Sequence, residues 1–351
     1  MIKDIFIKKN KLHFERPFRI AYETVKDTEA IIIGIQNEQN NLGLGSAAPD
    51  TEITGETINA IKDILEKNLT ASFFQYPLSD WKKYHKQIQK TFKNYPSAQS
   101  AVEEAILNLF ALEQNISLTE FFGGYRKTCD IIMTIGIKDL KATIDEVKKR
   151  SKEGYKIIKL KCGLNLNQDI EKILKLSKIL PKDCHLALDA NQGYSINEAF
   201  ELINKIKTCN IKFLEQPIGR KNLEGLKKLS QTSKIPIIAD EAVVSFKDAQ
   251  KIILNDYADG INIKLMKCGG PINFIEIFKL AKEFNKIVMI GCMYESQISI
   301  TTGAHLALAL PVDYVDLDSG NLDFKDDPAS GGAIIRNGKI EKIRPLKLKN
   351  N

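Results

Sequence analysis

The sequence lacks the staples of a small fold. Its six cysteines (Cys129, Cys162, Cys184, Cys209, Cys268 and Cys292) lie far apart, with no Cys-x-x-Cys pair and no histidine at zinc-ligand spacing. A disulfide framework and a zinc module are both excluded, and reduced thiols in a cytoplasmic protein are expected. No apolar run approaches the roughly 18 residues of a membrane helix. The opening Met1-Ile2-Lys3-Asp4-Ile5-Phe6-Ile7-Lys8-Lys9 interrupts its apolar residues with charge too often for a secretory signal. Arg-rich or aromatic-interleaved stripes are missing as well. The 51 Lys+Arg against 44 Asp+Glu are mostly lysines mixed with acids, as in Glu171-Lys172 and Lys182-Asp183. Such a surface is solvated, so neither nucleic acid nor membrane is an expected partner. Gly269-Gly270 stands without a Walker or dinucleotide pattern and makes only a weak phosphate loop.

What is present is enough for a sizeable core: 351 residues, 43% hydrophobic and 27% charged. That length suits two domains, or one large α/β barrel with additions. The apolar stretches Ala30–Ile35 and Leu42–Gly45 flank a polar turn at 36–41, which reads as a hairpin. Helical periodicity follows at 57–65 and 97–107, giving an α+β module over residues 1–124, with Gly123-Gly124 as its boundary. Beyond it, short β-branched runs end near Thr134, Lys161, Asp189, Glu215, Asp240, Lys264, Gly291 and Asp318, at intervals of 24 to 28 residues. Helical patterns fill the gaps, at 140–152, 167–180, 196–206 and 246–254. Eight strands at that interval predict a (β/α)8-type, modified TIM barrel over 125–320. Residues 321–351 form a C-terminal segment expected to pack back on the capping domain.

Five consecutive predicted strands end in an ionisable residue. In a barrel those ends face one cavity, where desolvated charge survives only with partners or a metal. Asp189, Glu215 and Asp240 close neighbouring strands, so their carboxylates converge. Three such anions repel, and oxygen ligands without His or Cys point to Mg2+ rather than Zn2+. Asn191, Gln192 and Gln216 sit beside them as supporting donors. Lys159 and Lys161 share one face of the second strand, and Lys264 closes the sixth, diametrically opposite. Burial and close like charge are expected to lower a lysine's pKa and make one amine a base. An acid and a base on opposite faces of a carbon can invert it. Lys267 lies past its strand end and reads as a supporting lysine; His305, on an apolar helical face, reads as a packed histidine.

Lys159-Leu160-Lys161, Asp189-Ala190-Asn191, Glu215-Gln216-Pro217, Ala239-Asp240-Glu241 and Lys264-Leu265-Met266-Lys267 together resemble the enolase superfamily, in its muconate lactonizing subgroup. Enzymes of that superfamily use a Lys or His base with Mg2+ on an ene-diolate. The resemblance spans nearly the whole chain, and Asp316-Leu317-Asp318 is similar to the Asp-x-Asp of its dipeptide epimerases. It implies one Mg2+ per subunit on Asp189, Glu215 and Asp240, and catalysis by Lys161 and Lys264 with Lys159 beside them. The implied reaction inverts the α-carbon of a dipeptide's C-terminal residue, with Asp316 and Asp318 holding the α-ammonium. Thr134, Glu23, Arg19, Ile53 and Met293 are the further substrate contacts it suggests. In Ala-Glu epimerases the position of Glu23 can carry an Arg that binds the substrate's side-chain carboxylate; Glu23 repels that group unless Arg19 or Lys26 takes over. Other readings of the same fold are an N-acylamino acid racemase, an o-succinylbenzoate synthase or a muconate cycloisomerase. A reading of another class is a non-catalytic dipeptide-binding protein. A homo-oligomer is compatible with the sequence.

Overall fold

The computed structural model describes residues 2–349. The chain opens with an antiparallel sheet of three strands, β1 (Ile2–Arg19), β2 (Thr24–Asn37) and β3 (Leu42–Ala47). Strand β2 is apolar on both faces. Ile31, Ile33 and Ile35 pack on the cap helices, while Ala30 and Ile32 face the other way with Leu12, Phe14 and Phe324. That double burial is why its sequence reads as an unbroken apolar run. Strand β1 is the element the sequence conceals, because much of it stays exposed and carries the charges.

The helix Pro96–Gln114 is buried on nearly every side. It lies between β3 and the helical turn Leu265–Cys268 of the second domain. Gly43 and Gly45 allow the approach: a Cβ at Gly45 would fall 1.9 Å from the Ala101 carbonyl oxygen. A side chain at either position would force the cap sheet off this helix.

After the two-residue strand β4 (Cys129–Asp130) come eight parallel strands, β5 (Ile132–Ile135), β6 (Ile157–Lys161), β7 (His185–Asp189), β8 (Ile211–Glu215), β9 (Ile237–Ala239), β10 (Gly260–Lys264), β11 (Ile287–Gly291) and β12 (Tyr314–Asp316). They pair in sequence order, and β12 returns against β5, so the sheet nearly closes. Helices such as Leu140–Lys152, Ile196–Ile206 and Phe246–Leu254 cover the outside, each begun by an Asp or Ser side chain that accepts from a first-turn amide. Inside, Ile132, Ala187, Phe213, Ile238 and Met289 fill the barrel with carbon, leaving only the C-terminal strand ends for polar groups.

Residues 329–348 form a hairpin, β13 (Ala329–Arg336) and β14 (Lys339–Leu348), and β14 pairs with β4. Leu346, Leu348, Phe324 and Ala329 join the core on the far side of the cap sheet. Phe14 bridges Phe324, and the Glu15 amide donates to the Asp323 carbonyl at 2.8 Å. The tail therefore ties the cap to the barrel mouth. No helix among the described residues is long and apolar enough to cross a membrane.

Candidate functional site

Where β6 to β10 end, five strands deliver Lys159, Lys161, Asp189, Glu215, Asp240 and Lys264 to one place. Their registers align them: Lys161 lies beside Asp189, and Asp189 beside Glu215. The backbone beyond the ends is unusual. Asn191, Gln192 and Gln216 all have positive φ; the side chains of Asn191 and Gln216 are tied to the site, and that of Gln192 accepts from the Arg220 amide at 3.0 Å. Gln216 accepts from the amides of Asp240 (3.0 Å) and Ala242 (3.1 Å) and donates to the Ile218 carbonyl. It thereby fixes where Asp240 stands.

Each strand-end carboxylate meets a lysine. Lys161 Nζ donates to Asp189 (2.6 Å) and to Asn191 Oδ1 (2.9 Å). Lys159 Nζ reaches Glu215 (3.1 Å), Asp316 and, more weakly, Asp189 (3.6 Å). Lys264 Nζ pairs with Asp240 Oδ2 at 2.9 Å, while Lys267 takes Oδ1 of the same carboxylate and its backbone oxygen (2.7 Å). Burial alone would raise the Asp189 and Asp240 carboxyls, but the lysines outweigh it and hold both below their ordinary value, Asp240 far below. Glu215, fully buried between Asp189 and Lys159, is pushed up to about 8, chiefly by burial and then by its anionic neighbours.

At Lys159 and Lys264 the direction differs from the expected lowering. Burial pulls Lys159 and Lys264 down, yet the facing carboxylates more than offset it, and both lie well above the ordinary lysine value. Lys267 alone is lowered, with burial the leading cause. It is a buried clamp on Asp240. His305 is likewise structural: its Nδ1 accepts from the Thr119 amide at 3.2 Å, and burial brings it down to about 4.

Among the described residues no three His, Cys, Asp or Glu form a ready metal cage, because the ammonium groups stand between the carboxylates. The donor set still suits a hard divalent cation. The mouth gathers six carboxyl groups (Asp189, Glu215, Asp240, Glu241, Asp316, Asp318) against four lysines (Lys159, Lys161, Lys264, Lys267), and burial raises Glu215, Glu241 and Asp318. Glu241 Oε2 and Asn262 Oδ1 are buried without a partner. Unpaired buried oxygens among carboxyl groups that outnumber the lysines, three of them raised for want of a cation, fit Mg2+.

Above the ends lies a cavity of about 760 Å³, walled by Lys159, Lys161, Asp240, Lys264, Asp316 and Asp318 on the barrel side. Thr134, Ile53, Met293 and Glu23 also line it, and Arg19 does not. Arg19 is an exposed residue at the end of β1, whose carbonyl accepts from the Ile137 amide, so its guanidinium stays outside the wall. Asp318 accepts from the Thr134 amide at 2.5 Å, and Thr134 Oγ1 donates to Asp316 at 3.3 Å, which sets both aspartates at the β5–β12 seam. Sequence reasoning missed Tyr22, Asp50, Tyr294 and Asp323, four further wall residues. They come from loops and strand edges without periodic signal, and only the closure of the cap on the barrel gathers them.

An eight-stranded parallel barrel with a three-stranded cap and lysines facing a carboxylate ring defines an enolase-superfamily fold. Residues 142–344 match the enolase C-terminal domain-like family, and residues 2–123 match the mandelate racemase / muconate lactonizing enzyme N-terminal domain. The chain belongs to this mandelate racemase / muconate lactonizing enzyme family. It is 32% identical over 343 residues to an L-Ala-D/L-Glu epimerase of Clostridium acetobutylicum (97% of this chain, 96% of the other). It is 33% identical over 339 residues to an L-Lys-D/L-Arg epimerase of Desulforapulum autotrophicum (96% and 95%). Among solved structures, the dipeptide epimerase of Methylococcus capsulatus complexed with Mg and L-Arg-D-Lys superimposes with a TM-score of 0.90 at 29% identity, covering 99% of this chain and 97% of that one.

Proposed function

We propose that this protein is a Mg2+-dependent dipeptide epimerase that inverts the α-carbon of the C-terminal residue by proton transfer between two lysines. One observation carries the reading: Lys161 and Lys264 close strands four apart in an eight-stranded ring and line the same cavity. A carbon held between them is reached from both faces. One lysine, as the amine, removes the α-proton from its side; the other, as the ammonium, delivers a proton from the opposite side, and the roles exchange for the reverse epimer.

Asp189, Glu215 and Asp240 are the residues to hold one Mg2+, which supplies the positive charge needed by a carboxylate whose α-proton is leaving. Lys159, between Glu215 and Asp316, adds a second cation on that side. Asp316 and Asp318 suit a substrate ammonium, since paired carboxylates attract a cation and hold an acylated, uncharged end far less strongly. Curated relatives and solved structures of dipeptide epimerases at about 30% identity over nearly the full chain support this reading. Six free cysteines support a reducing, cytoplasmic setting.

The test is a dipeptide library in deuterated water with Mg2+. Mass gain at the α-carbon and interconversion of epimers are expected, and both should stop with chelator. Lys161→Ala and Lys264→Ala should each stop epimerisation, while each variant still exchanges the α-proton of the one epimer facing its remaining lysine. An N-acetylated dipeptide loses charge-assisted hydrogen bonds worth about 1.5–3 kcal/mol each, so its kcat/KM should fall by at least about a hundredfold. Equal turnover of acetylated and free dipeptides would favour the N-acylamino acid racemase reading; bound dipeptide without any exchange would favour a binding protein.

A further inference from the structure

The cavity is more acidic than the proton transfer requires. All three lysines in its wall belong to the barrel, and the cap contributes Glu23 and Asp50 with no lysine or arginine. Among the described residues neither carboxylate forms an ion pair. Glu23 has the Tyr294 hydroxyl at 3.5 Å, and Asp50 Oδ1 accepts from the amides of Glu52 (2.9 Å) and Ile53 (3.1 Å). The turn so braced keeps Asp50 in the wall. Arg19 and Lys26, the cations nearest in sequence, are exposed and outside it.

The direction of a bound side chain follows from the four substituents of the reacting carbon. In the proposed function its carboxylate faces Asp189, Glu215 and Asp240, its nitrogen lies toward Asp316 and Asp318, and its hydrogen points at a lysine. The fourth substituent has the cap side left. Tyr22, Glu23 and Asp50 are the cap's polar residues in the wall of the cavity that Lys161 and Lys264 also line.

We propose that Glu23 and Asp50 read the side chain of the epimerised residue and select one that ends in a positive charge, of lysine or arginine type. Resting on the dipeptide epimerase reading, this names its substrate class. A long cationic side chain fits both parts of the wall: its methylene stem lies along the Tyr22 and Tyr294 rings and its head meets two unpaired carboxylates. A glutamate side chain would bring a further carboxylate beside Glu23 and Asp50, where the cap places no lysine or arginine in the wall to receive it. The L-Lys-D/L-Arg epimerase relative is a protein for which such a cationic substrate is named.

The experiment compares kcat/KM for L-Ala-L-Arg, L-Ala-L-Lys, L-Ala-L-Met and L-Ala-L-Glu, followed by exchange in deuterated water. The Arg and Lys dipeptides should exceed the Met dipeptide by about tenfold or more, with the Glu dipeptide slowest. In Glu23→Gln and Asp50→Asn the Arg-to-Met ratio should fall by about tenfold, mainly through a higher KM for the Arg dipeptide. Glu23→Arg should move the preference toward Glu. A merely structural role for either residue would slow all four dipeptides alike and leave the ratio where it was, which would overturn the assignment. A parent enzyme led by Met or Glu overturns this inference and leaves the epimerase reading standing. Turnover of none of the four, nor of any dipeptide in the wider library, overturns both.

Discussion

Two regions of the molecule bury carboxylates, and they treat them differently. At the junction of cap and barrel, Glu104 accepts from the Ser100 hydroxyl (2.8 Å), the Ser299 hydroxyl (3.1 Å) and the Ser46 amide (3.3 Å), and among the described residues it forms no ion pair. Burial, followed by repulsion from Glu295, pushes it up to about 8. Glu56 is held alike, by Ser97 and Thr54, and is raised. In the barrel mouth, Asp189 and Asp240 are equally buried, but lysines face them and keep them ionised. The same burial thus gives a neutral clamp where hydroxyls are the partners and a persistent anion where ammonium groups outweigh it, as at Asp189 and Asp240 but not at Glu215, where burial and the neighbouring anions prevail over Lys159. Only the second kind offers charge to a metal or a substrate. It also costs stability, since a buried ion pair regains only part of its desolvation.

The comparison breaks most sharply at Asp240. Asp240→Asn keeps the shape and removes the anion between Lys264 and Lys267; activity should fall by at least about a thousandfold, the loss of several kcal/mol of charge stabilisation. Circular dichroism should still report a folded barrel. A folded variant within tenfold of the parent would mean that the ionised state of the mouth is incidental.

Next in size is the pH response of Glu104. Its folded value of about 8 lies above the ordinary 4.5, so the unfolded chain releases this proton first. The stability that the neutral acid supplies is complete below pH 4.5 and drains away as the pH rises to 8. Glu104→Gln carries no such proton. Between pH 5 and pH 8 the Tm of the parent should drop relative to that of the variant, and parallel curves would show Glu104 ionised at the junction. The smallest effect is that of Ser299→Ala, which removes one of three donors to Glu104. It should cost about 0.5–1.5 kcal/mol in denaturant melts and leave epimerisation untouched.

Much of the barrel was legible because its strands obey a spacing and its helices a period. The expected strand ends at Lys161, Asp189, Glu215, Lys264 and Gly291 are those observed, and Thr134, Asp240 and Asp318 fall within two residues of theirs. The helices Leu140–Lys152, Ile196–Ile206 and Phe246–Leu254 begin and end where their apolar pattern does. Strand β1 was not legible, since an edge strand with charges on its open face lacks the alternation of a half-buried one. The upward direction at Lys159 and Lys264 also escaped. Proximity of Lys159 to Lys161 is local and visible in sequence, but the net sign depends on how many carboxylates surround each ammonium group, and those arrive from four other strands.

By itself, then, the sequence determined which chemical groups stand at the strand ends and that they share one mouth, because strand period and strand order are local and repeat along the chain. Only the tertiary structure decided which carboxylate meets which lysine, and that the cap adds Tyr22, Glu23 and Asp50 to the cavity wall while Arg19 stays outside. Those outcomes rest on contacts between segments far apart in the chain: β3 pressed on the helix Pro96–Gln114, and the tail at Phe324 pinned to Phe14. Distances of that kind follow from packing, and no pattern along the chain encodes them.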